Sequence, residues 1–413
     1  MQLHVPSRRL TGAPAFWAVA AVYLLVLVSS GVPSPLYRVY QEEFGFSSGL
    51  LTVVFAVYAL ALLASLLVVG ALSDHIGRRP VLVVGLVVQA AGMVLFLLAD
   101  GVGWLLAARV VQGFATGAMT GAFGAALMDL QARDRPLAPV VNSATPGLGL
   151  AVGAVGAGLL VEFVPAPTEW VFGVLTALFL LFAVGVLLVL PESSPRRPGA
   201  RASLRPTLTV PPPQRRPFLL VMPCLAATWA FGGLAASLGP SLSAEVFGID
   251  DHFLGTLGVA AINGTGVIAS LAMRNAAPRR SLLVGALVFA TGVAGTVVSL
   301  LTAWTWLYFL TAVVSGWGFG AAFLGSVAVV TQDVAPGSRA GLMSALFTFG
   351  YVSFSVPAVA AGVASGRWGL AATAEVFGVV VVLSALVAVV GLLLQQRRTA
   401  APSLARAPAD TPA

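Results

Sequence analysis

Lysine is absent: all 22 basic residues of the 413-residue chain are arginine. Cysteine occurs once, at Cys224 in an apolar run, which excludes an intramolecular disulfide and a multi-cysteine metal site. The three histidines, His4, His75 and His252, all fall outside the apolar runs and supply no ligand set for a zinc or haem enzyme. Charge of either sign is scarce, at 9% of residues against roughly 25% in an ordinary soluble domain. Length alone would allow about three soluble domains of ~150 residues each. With 58% of residues in the set AVILMFWYC and a mean hydropathy of +0.97, that option is excluded and the chain reads as a polytopic membrane protein. A net charge of +7 in a soluble protein would raise the question of nucleic acid. Here the position of each charge matters more than their sum, and no nucleic-acid partner is expected.

What is present is a series of apolar runs. Crossing ~30 Å of hydrocarbon takes about 20 largely apolar helical residues, and twelve runs qualify: 15–37, 48–72, 80–99, 103–128, 137–161, 169–190, 218–242, 253–273, 281–301, 304–330, 340–364 and 369–394, here called spans 1 to 12. The first exceeds the h-region of a cleavable signal peptide and leads directly into further spans. With a cytoplasmic N-terminus, 19 of the 22 arginines fall on the inner side, among them Arg8, Arg133, Arg135 and Arg406, and only Arg38 and Arg367 lie outside. Acids gather outside at Glu42, Glu43, Asp100, Glu162, Glu169, Glu245, Asp250 and Asp251. This asymmetry predicts a multi-pass protein of the cytoplasmic (inner) membrane with both termini cytoplasmic. Trp104, Trp170, Trp304, Trp306 and Trp368, at span ends, suit the interfacial belt.

The longest hydrophilic stretch, residues 191–217, is rich in Pro and Arg and reads as an extended cytoplasmic linker. It divides the chain into residues 1–190, with spans 1–6, and residues 218–394, with spans 7–12; residues 395–413 are expected to form an unstructured cytoplasmic tail. A shift of 200 residues aligns Arg79, Leu82, Val84, Gly85, Val88, Ala90 and Gly92 with Arg279, Leu282, Val284, Gly285, Val288, Ala290 and Gly292. Together with the central linker, this suggests two six-helix halves related by duplication, as in transporters that bind substrate at the repeat interface. The expected fold class is an all-α membrane protein of twelve transmembrane helices in two pseudo-symmetric six-helix bundles.

Between spans 2 and 3 the chain reads Gly70-Ala-Leu-Ser-Asp74-His-Ile-Gly77-Arg78-Arg79-Pro80. This resembles the cytoplasmic signature G-x-L-x-D-x-x-G-R-R of the major facilitator superfamily. The resemblance extends over the chain through the span count, the split halves, Pro35-Leu36-Tyr37 ending span 1, and Arg109-Val-Val-Gln112-Gly113 in span 4. Gly70 allows close helix approach, Gly77 a turn with positive φ, and Arg78 and Arg79 anchor the inner face. Asp74 is expected near the N-terminus of span 11, where a helix's positive end favours a carboxylate by about 0.3–1 kcal/mol. Asp129 is the nearest acid for Arg78 or Arg79. The resemblance implies that such a cluster latches the cytoplasmic side in the outward-facing state; the alternative is that these charges only set topology. The second half carries only Arg274-Asn-Ala-Ala-Pro-Arg279-Arg280, without the Gly and Asp.

Arg109 is the only basic residue inside a span. It lies ~9 Å from the outer end of span 4 at 1.5 Å per residue. Gln112, Thr116 and Thr120 follow at i+3, i+7 and i+11 on the same helical face. An intramembrane charge normally faces a cavity or a partner; the alternative is a long side chain snorkelling to the interface. In drug:proton antiporters, which the chain resembles, the matching arginine is associated with proton coupling, and an acid in span 1 often binds cations. Span 1 here has no carboxylate, and neither do the central parts of the other spans; Asp129, Glu162 and Glu375 lie near helix ends. Such a cavity favours an anionic, zwitterionic or polar neutral ligand over a lipophilic cation.

The antiporter signature G-x-x-x-G-P-x-x-G-G aligns with Gly149, Gly153 and Gly158 of span 5, but Ala154 replaces the Pro and Ala157 a Gly. Close helix packing also accounts for such a ladder, and Pro146 supplies a kink instead. Further cavity candidates are Asn142, Trp229, Asn263, Ser315, Trp317 and Tyr351, each open to a packing explanation. No Walker loop, paired acids or nucleophile with its base is visible at membrane depth, so neither a nucleotide-driven pump nor an enzyme is expected, and no cofactor is implied. The expected function is secondary active transport of a small molecule by alternating access, with proton-coupled efflux ahead of uniport or symport of a polar or anionic metabolite. The expected partners are that substrate, protons and the lipid bilayer, with the chain a monomer.

Overall fold

The computed structural model describes residues 9–132, 137–194 and 196–404; Arg8, Arg133, Arg135 and Arg406 lie outside the described residues. Among the described residues no strand occurs, and twelve helices are long and apolar enough to cross a membrane. Their order is Ala13–Phe44, Ser48–Val69, Arg78–Leu97, Val102–Leu130, Ala138–Phe163, Pro167–Val189, Arg215–Phe247, His252–Met273, Pro278–Thr302, Thr305–Thr331, Pro336–Trp368 and Leu370–Leu404.

Local chemistry explains the boundaries. The Ser47 hydroxyl caps span 2 by accepting the Leu50 N–H, and the Asp251 carboxylate caps span 8 by accepting the Leu254 N–H. Spans 5, 6, 9 and 11 carry Pro in their first turn, where its missing N–H removes no helical bond.

Span 1 runs seven residues past its expected end. Pro33 and Pro35 interrupt the apolar run, but Val32 stays helical and donates to the Val28 carbonyl at 3.2 Å, and the polar segment 38–44 continues the helix. Span 7 is also longer at both ends, where the polar-containing segments 215–217 and 243–247 continue the helix, and Pro223 and Pro240 lie inside it without ending it. Span 12 continues through part of the expected unstructured tail to Leu404, since Leu393-Leu-Gln-Gln-Arg-Arg398 is a run of strong helix formers. Residues 405–413 lie outside the described residues.

The packing of one half repeats in the other. Span 4 packs on spans 2 and 3, span 6 on span 3, and span 5 on span 1; in the second half span 10 packs on spans 8 and 9, span 12 on span 9, and span 11 on span 7. The main contacts between halves, span 5 with span 8 and span 2 with span 11, also exchange under a shift of six spans. Span 4 sits close enough on span 2 that a β-carbon at Gly113, Gly117 or Gly121 would strike the backbone at Tyr58, Leu62 or Gly70. Three glycines four residues apart permit that approach, as small residues do at membrane helix interfaces. The outer helix faces remain apolar, with Leu181, Leu188, Leu301, Val363 and Val376 each more than 60% exposed. A band of this kind is stable against lipid and not against water.

Candidate functional site

Arg109 sets the first site. Its side chain is fully buried, so it neither snorkels to an interface nor opens onto solvent. Four rings enclose the guanidinium: Tyr58 at 4.8 Å, Tyr37 at 5.1 Å, Phe55 at 5.5 Å and Phe96 at 5.8 Å from their centroids. Arg109 Nε donates to the Tyr37 hydroxyl and Nη1 donates to Gln112 Oε1 at 2.7 Å, while Nη2 makes no hydrogen bond. Gln112 Nε2 then donates to the Ser29 carbonyl at 2.8 Å, and Gln89 Nε2 donates to Ser29 Oγ at 3.0 Å. Thr116 Oγ1 donates to Gln89 Oε1 at 3.5 Å, and the Tyr58 hydroxyl donates to Ser30 Oγ at 2.8 Å. Thr120 bonds its own helix at the Thr116 carbonyl.

The network is therefore a cation held by neutral dipoles and ring faces, with no carboxylate among its partners. Each cation–π contact supplies about 0.5–2 kcal/mol, against an effective desolvation penalty of several kcal/mol per buried ion. The expected polar stripe exists, but aromatic side chains cover it.

That cover joins the two halves. Tyr58 packs with Tyr351 and Phe354 of span 11, and Phe55 meets Phe354 at 5.4 Å between centroids. Tyr351 stands edge-on to Trp229 of span 7 at 4.9 Å, with Phe323 at 5.9 Å from the same indole. Trp229 Nε1 is buried without a hydrogen-bond partner. Of the remaining cavity candidates, Asn263 Nδ2 bonds the Val259 carbonyl of its own helix at 2.9 Å, and Ser315 Oγ bonds the Ala312 carbonyl. Trp317 is half-buried. Asn142 lies apart from the aromatic group, beside Gly124 near the linker end of span 5, with Nδ2 on the Gly124 carbonyl at 3.4 Å and Oδ1 unpartnered.

The second cluster lies on the face that carries the linker. Arg78 Nη1 pairs with Asp74 Oδ1 and donates to Ser73 Oγ at 2.8 Å, while Nε pairs with Asp129 Oδ2 at 3.3 Å. The structure thus brings Asp74, Arg78 and Asp129 together, but within the first half. Asp74 does not sit at the start of span 11; its backbone carbonyl accepts from Ser194 Oγ at 3.1 Å and from the Arg197 N–H at 3.1 Å. The linker also caps span 3. Glu192 accepts the Arg78 N–H at 2.8 Å, the Arg79 N–H at 3.3 Å and the Ser194 N–H at 3.1 Å, satisfying the open donors at the start of span 3. Gly77, at φ +112°, turns the chain into that cap. Gly70 packs within its own turn and under Gly121 of span 4.

On the opposite face the halves meet directly. Arg38 Nη2 pairs with Asp250 Oδ1 at 3.4 Å, and Glu162 Oε2 accepts the His252 N–H at 3.1 Å. Deeper in, Ser34 Oγ donates to the Ala236 carbonyl at 2.8 Å. A β-carbon at Gly362 of span 11 would collide with the Thr52 side chain of span 2, and one at Gly158 of span 5 would lie 2.8 Å from Thr256 Oγ1 of span 8. In span 5, Gly149 and Gly153 press on Leu27 and Val28 of span 1, so this part of the ladder packs helices. None of the opposite-face contacts, nor Glu192, Tyr58 and Phe55, was singled out from the sequence. The available signals were the acids grouped on that face and the Pro-Glu-Ser-Ser run after span 6.

Two bundles of six helices, repeated in their packing and joined along two symmetric seams around buried polar groups, define a class of membrane carrier. A sequence model of the Major Facilitator Superfamily matches residues 19–357, and the chain belongs to that family. Among curated relatives, it is 33% identical over 117 residues to the Escherichia coli inner membrane transport protein YajR, covering 28% of this chain and 25% of that protein. It is 38% identical over 110 residues to the class C tetracycline resistance protein of Escherichia coli, covering 26% and 27%. With the probable actinorhodin transporter of Streptomyces coelicolor the match is 31% over 205 residues, covering 47% and 35%. The matched segment thus spans about a quarter to a third of these relatives' length. A solved structure of a bacterial homologue of the human lysosomal transporter Spinster, inward-facing and unoccupied, superposes with a TM-score of 0.75 at 15% identity, covering 94% of this chain and 97% of that one. The nucleoside transporter NupG gives 0.72 at 11% identity, covering 91% and 99%. At these identities the likeness is one of fold.

Proposed function

We propose that this chain is a secondary active transporter that moves a small molecule across the cytoplasmic membrane by alternating access, with linker and termini in the cytoplasm. The observation that carries this reading is the placement of the polar contacts between halves. Ser34–Ala236, Arg38–Asp250 and Glu162–His252 all lie toward the face opposite the linker, while the Asp74–Arg78–Asp129 cluster engages only its own half and the linker. A molecule clasped on one face and unclasped on the other corresponds to one end of a rocking cycle, here closed outside. Its opposite state would bring the cluster against span 11, the latch role that the resemblance implies. The superfamily is one of transporters, so no catalytic activity is assigned.

Export coupled to protons is the preferred direction, supported by the names of relatives such as the tetracycline resistance protein and a bicyclomycin resistance protein homologue of Haemophilus influenzae. One observation favours the second reading, uniport or symport of a polar or anionic metabolite: the Arg109 network holds no carboxylate to carry a proton. Purified protein in liposomes, screened for flux with and without a pH gradient, separates them. Substrate flux that follows the gradient and disappears in Arg109→Ala supports antiport; flux indifferent to the gradient supports uniport. The absence of protein-dependent flux for every compound in a broad screen counts against transport.

A further inference from the structure

We propose that Arg109 is an anion site that opens in only one conformational state, with Phe55 and Tyr58 as its movable wall, and that it takes the carboxylate or phenolate group of a planar organic anion. The inference rests on the transporter reading above and adds the chemical class of the ligand.

The first support is an unfilled donor. A guanidinium offers five N–H groups in one plane and accepts nothing. The Arg109 Cζ lies over four ring faces at 4.8–5.8 Å from their centroids, whereas the N–H groups of Nη2 have no acceptor although the side chain is fully buried. Buried polar groups with a purely structural role are nearly always satisfied. An anionic oxygen is the acceptor that also neutralises the charge, and the planar fork suits a carboxylate.

The second support is the wall itself. Phe55 and Tyr58 lie between Arg109 and span 11, where they touch Phe354 and Tyr351. Span 2 against span 11 is one of the two seams along which the halves must rock. Separation there removes Phe354 and Tyr351 from the outer side of the wall and frees both aromatic side chains to turn. Arg109 is thus sealed by residues whose support the transport cycle withdraws.

The third support lies on the other side of the wall. Trp229 Nε1 is also a buried donor without a partner, edge-on to Tyr351. Arg109 Nη2 and Trp229 Nε1 are thus both unpartnered N–H donors, and aromatic side chains stand between them. A planar, acceptor-rich anion matches both features. A lipophilic cation meets a fixed positive charge and no carboxylate, because every acid among the described residues lies in a loop or near a helix end.

The test uses the full-length protein in nanodiscs and follows intrinsic tryptophan fluorescence during titration with benzoate, benzamide, benzylammonium and chloride at constant ionic strength. Benzoate is expected to give a saturable response at least tenfold tighter than benzamide or benzylammonium. Arg109→Gln should weaken it tenfold or more, while Arg367→Gln, at an exposed position, should leave it unchanged. Tyr58→Ala, which removes part of the wall in an otherwise native protein, should tighten benzoate binding, and this keeps the test informative if Arg109→Gln fails to fold. Chloride competing with benzoate at equal concentration would overturn the planar organic ligand class. Benzylammonium binding as tightly as benzoate, a benzoate response unaltered in both Arg109→Gln and Tyr58→Ala, or no anion response would each overturn the proposal. A parallel liposome flux assay separates this from the parent reading: flux of any compound without anion binding removes only the anion site, and anion binding without flux of any compound removes only transport.

Discussion

The carboxylate of Glu192 fills the space that a side chain at Gly77 would need: a β-carbon built there falls on Glu192 Oε2. One residue ends the loop after span 2, the other begins the linker after span 6, and together they start span 3. Gly77→Ala therefore suffers twice, from a backbone conformation essentially restricted to glycine, at about 1–3 kcal/mol, and from displacement of the cap. Glu192→Ala removes only the cap, at about 0.5–2 kcal/mol. Thermal unfolding read by a thiol-reactive dye, for which buried Cys224 is the single target, should show Gly77→Ala as the less stable variant. Equal stability of Gly77→Ala and the parent chain would remove the argument.

The seam between spans 2 and 11 is predicted to set the conformational balance. Gly362→Leu forces a side chain onto Thr52, an overpacking cost of about 1–3 kcal/mol that falls only on the state closed at the opposite face. A bias of that size moves a two-state equilibrium by about 5–150-fold. In a Cys224→Ser background, Ser34→Cys, buried at the contact with Ala236, should react faster with an impermeant maleimide once Gly362→Leu is added. An unchanged rate would show that the seam does not control that face.

Arg109 is predicted to lower stability in exchange for function. Burying an unpaired ion carries a desolvation penalty of several kcal/mol, which an apolar side chain of similar volume does not incur. Arg109→Met should unfold at the same or a higher temperature than the parent and lose substrate flux. A large loss of stability would identify Arg109 as a structural residue instead.

The Asp74–Arg78–Asp129 cluster gives a fourth expectation. Arg78 is nearly buried but Asp74 and Asp129 are partly exposed, so each pair contributes about 1 kcal/mol after solvent screening. Asp74→Asn and Asp129→Asn should slow transport and raise cysteine accessibility from the linker face, because the state latched there loses support. If both variants kept parental flux and accessibility on both faces, the cluster would serve only topology.

Much of this molecule follows from one-dimensional physics. Backbone groups in hydrocarbon must bond within their own segment, so the apolar runs had to be helices and their number could be counted. Their ends were less legible, because polar residues such as those at 38–44 and 243–247 can continue a helix beyond the apolar run that marks the span. The Arg109–Gln112–Thr116 stripe was also visible, since helical spacing places those residues on one face. Its surroundings were not: Tyr37, Phe55, Tyr58 and Phe96 come from three other spans, and only packing decides that they enclose the cation and leave Nη2 without an acceptor. The partner of the loop after span 2 was likewise a tertiary choice. Sequence offered Asp74 to the N-terminus of span 11, whereas its carboxylate pairs with Arg78, and the open N–H groups of span 3 are met by Glu192 of the linker, more than a hundred residues away. The sequence by itself thus determined the helices, their number and the charge of each loop, because these depend on local burial and hydrogen bonding. The tertiary structure alone decided which face is clasped and what surrounds Arg109, because both depend on which distant residues meet.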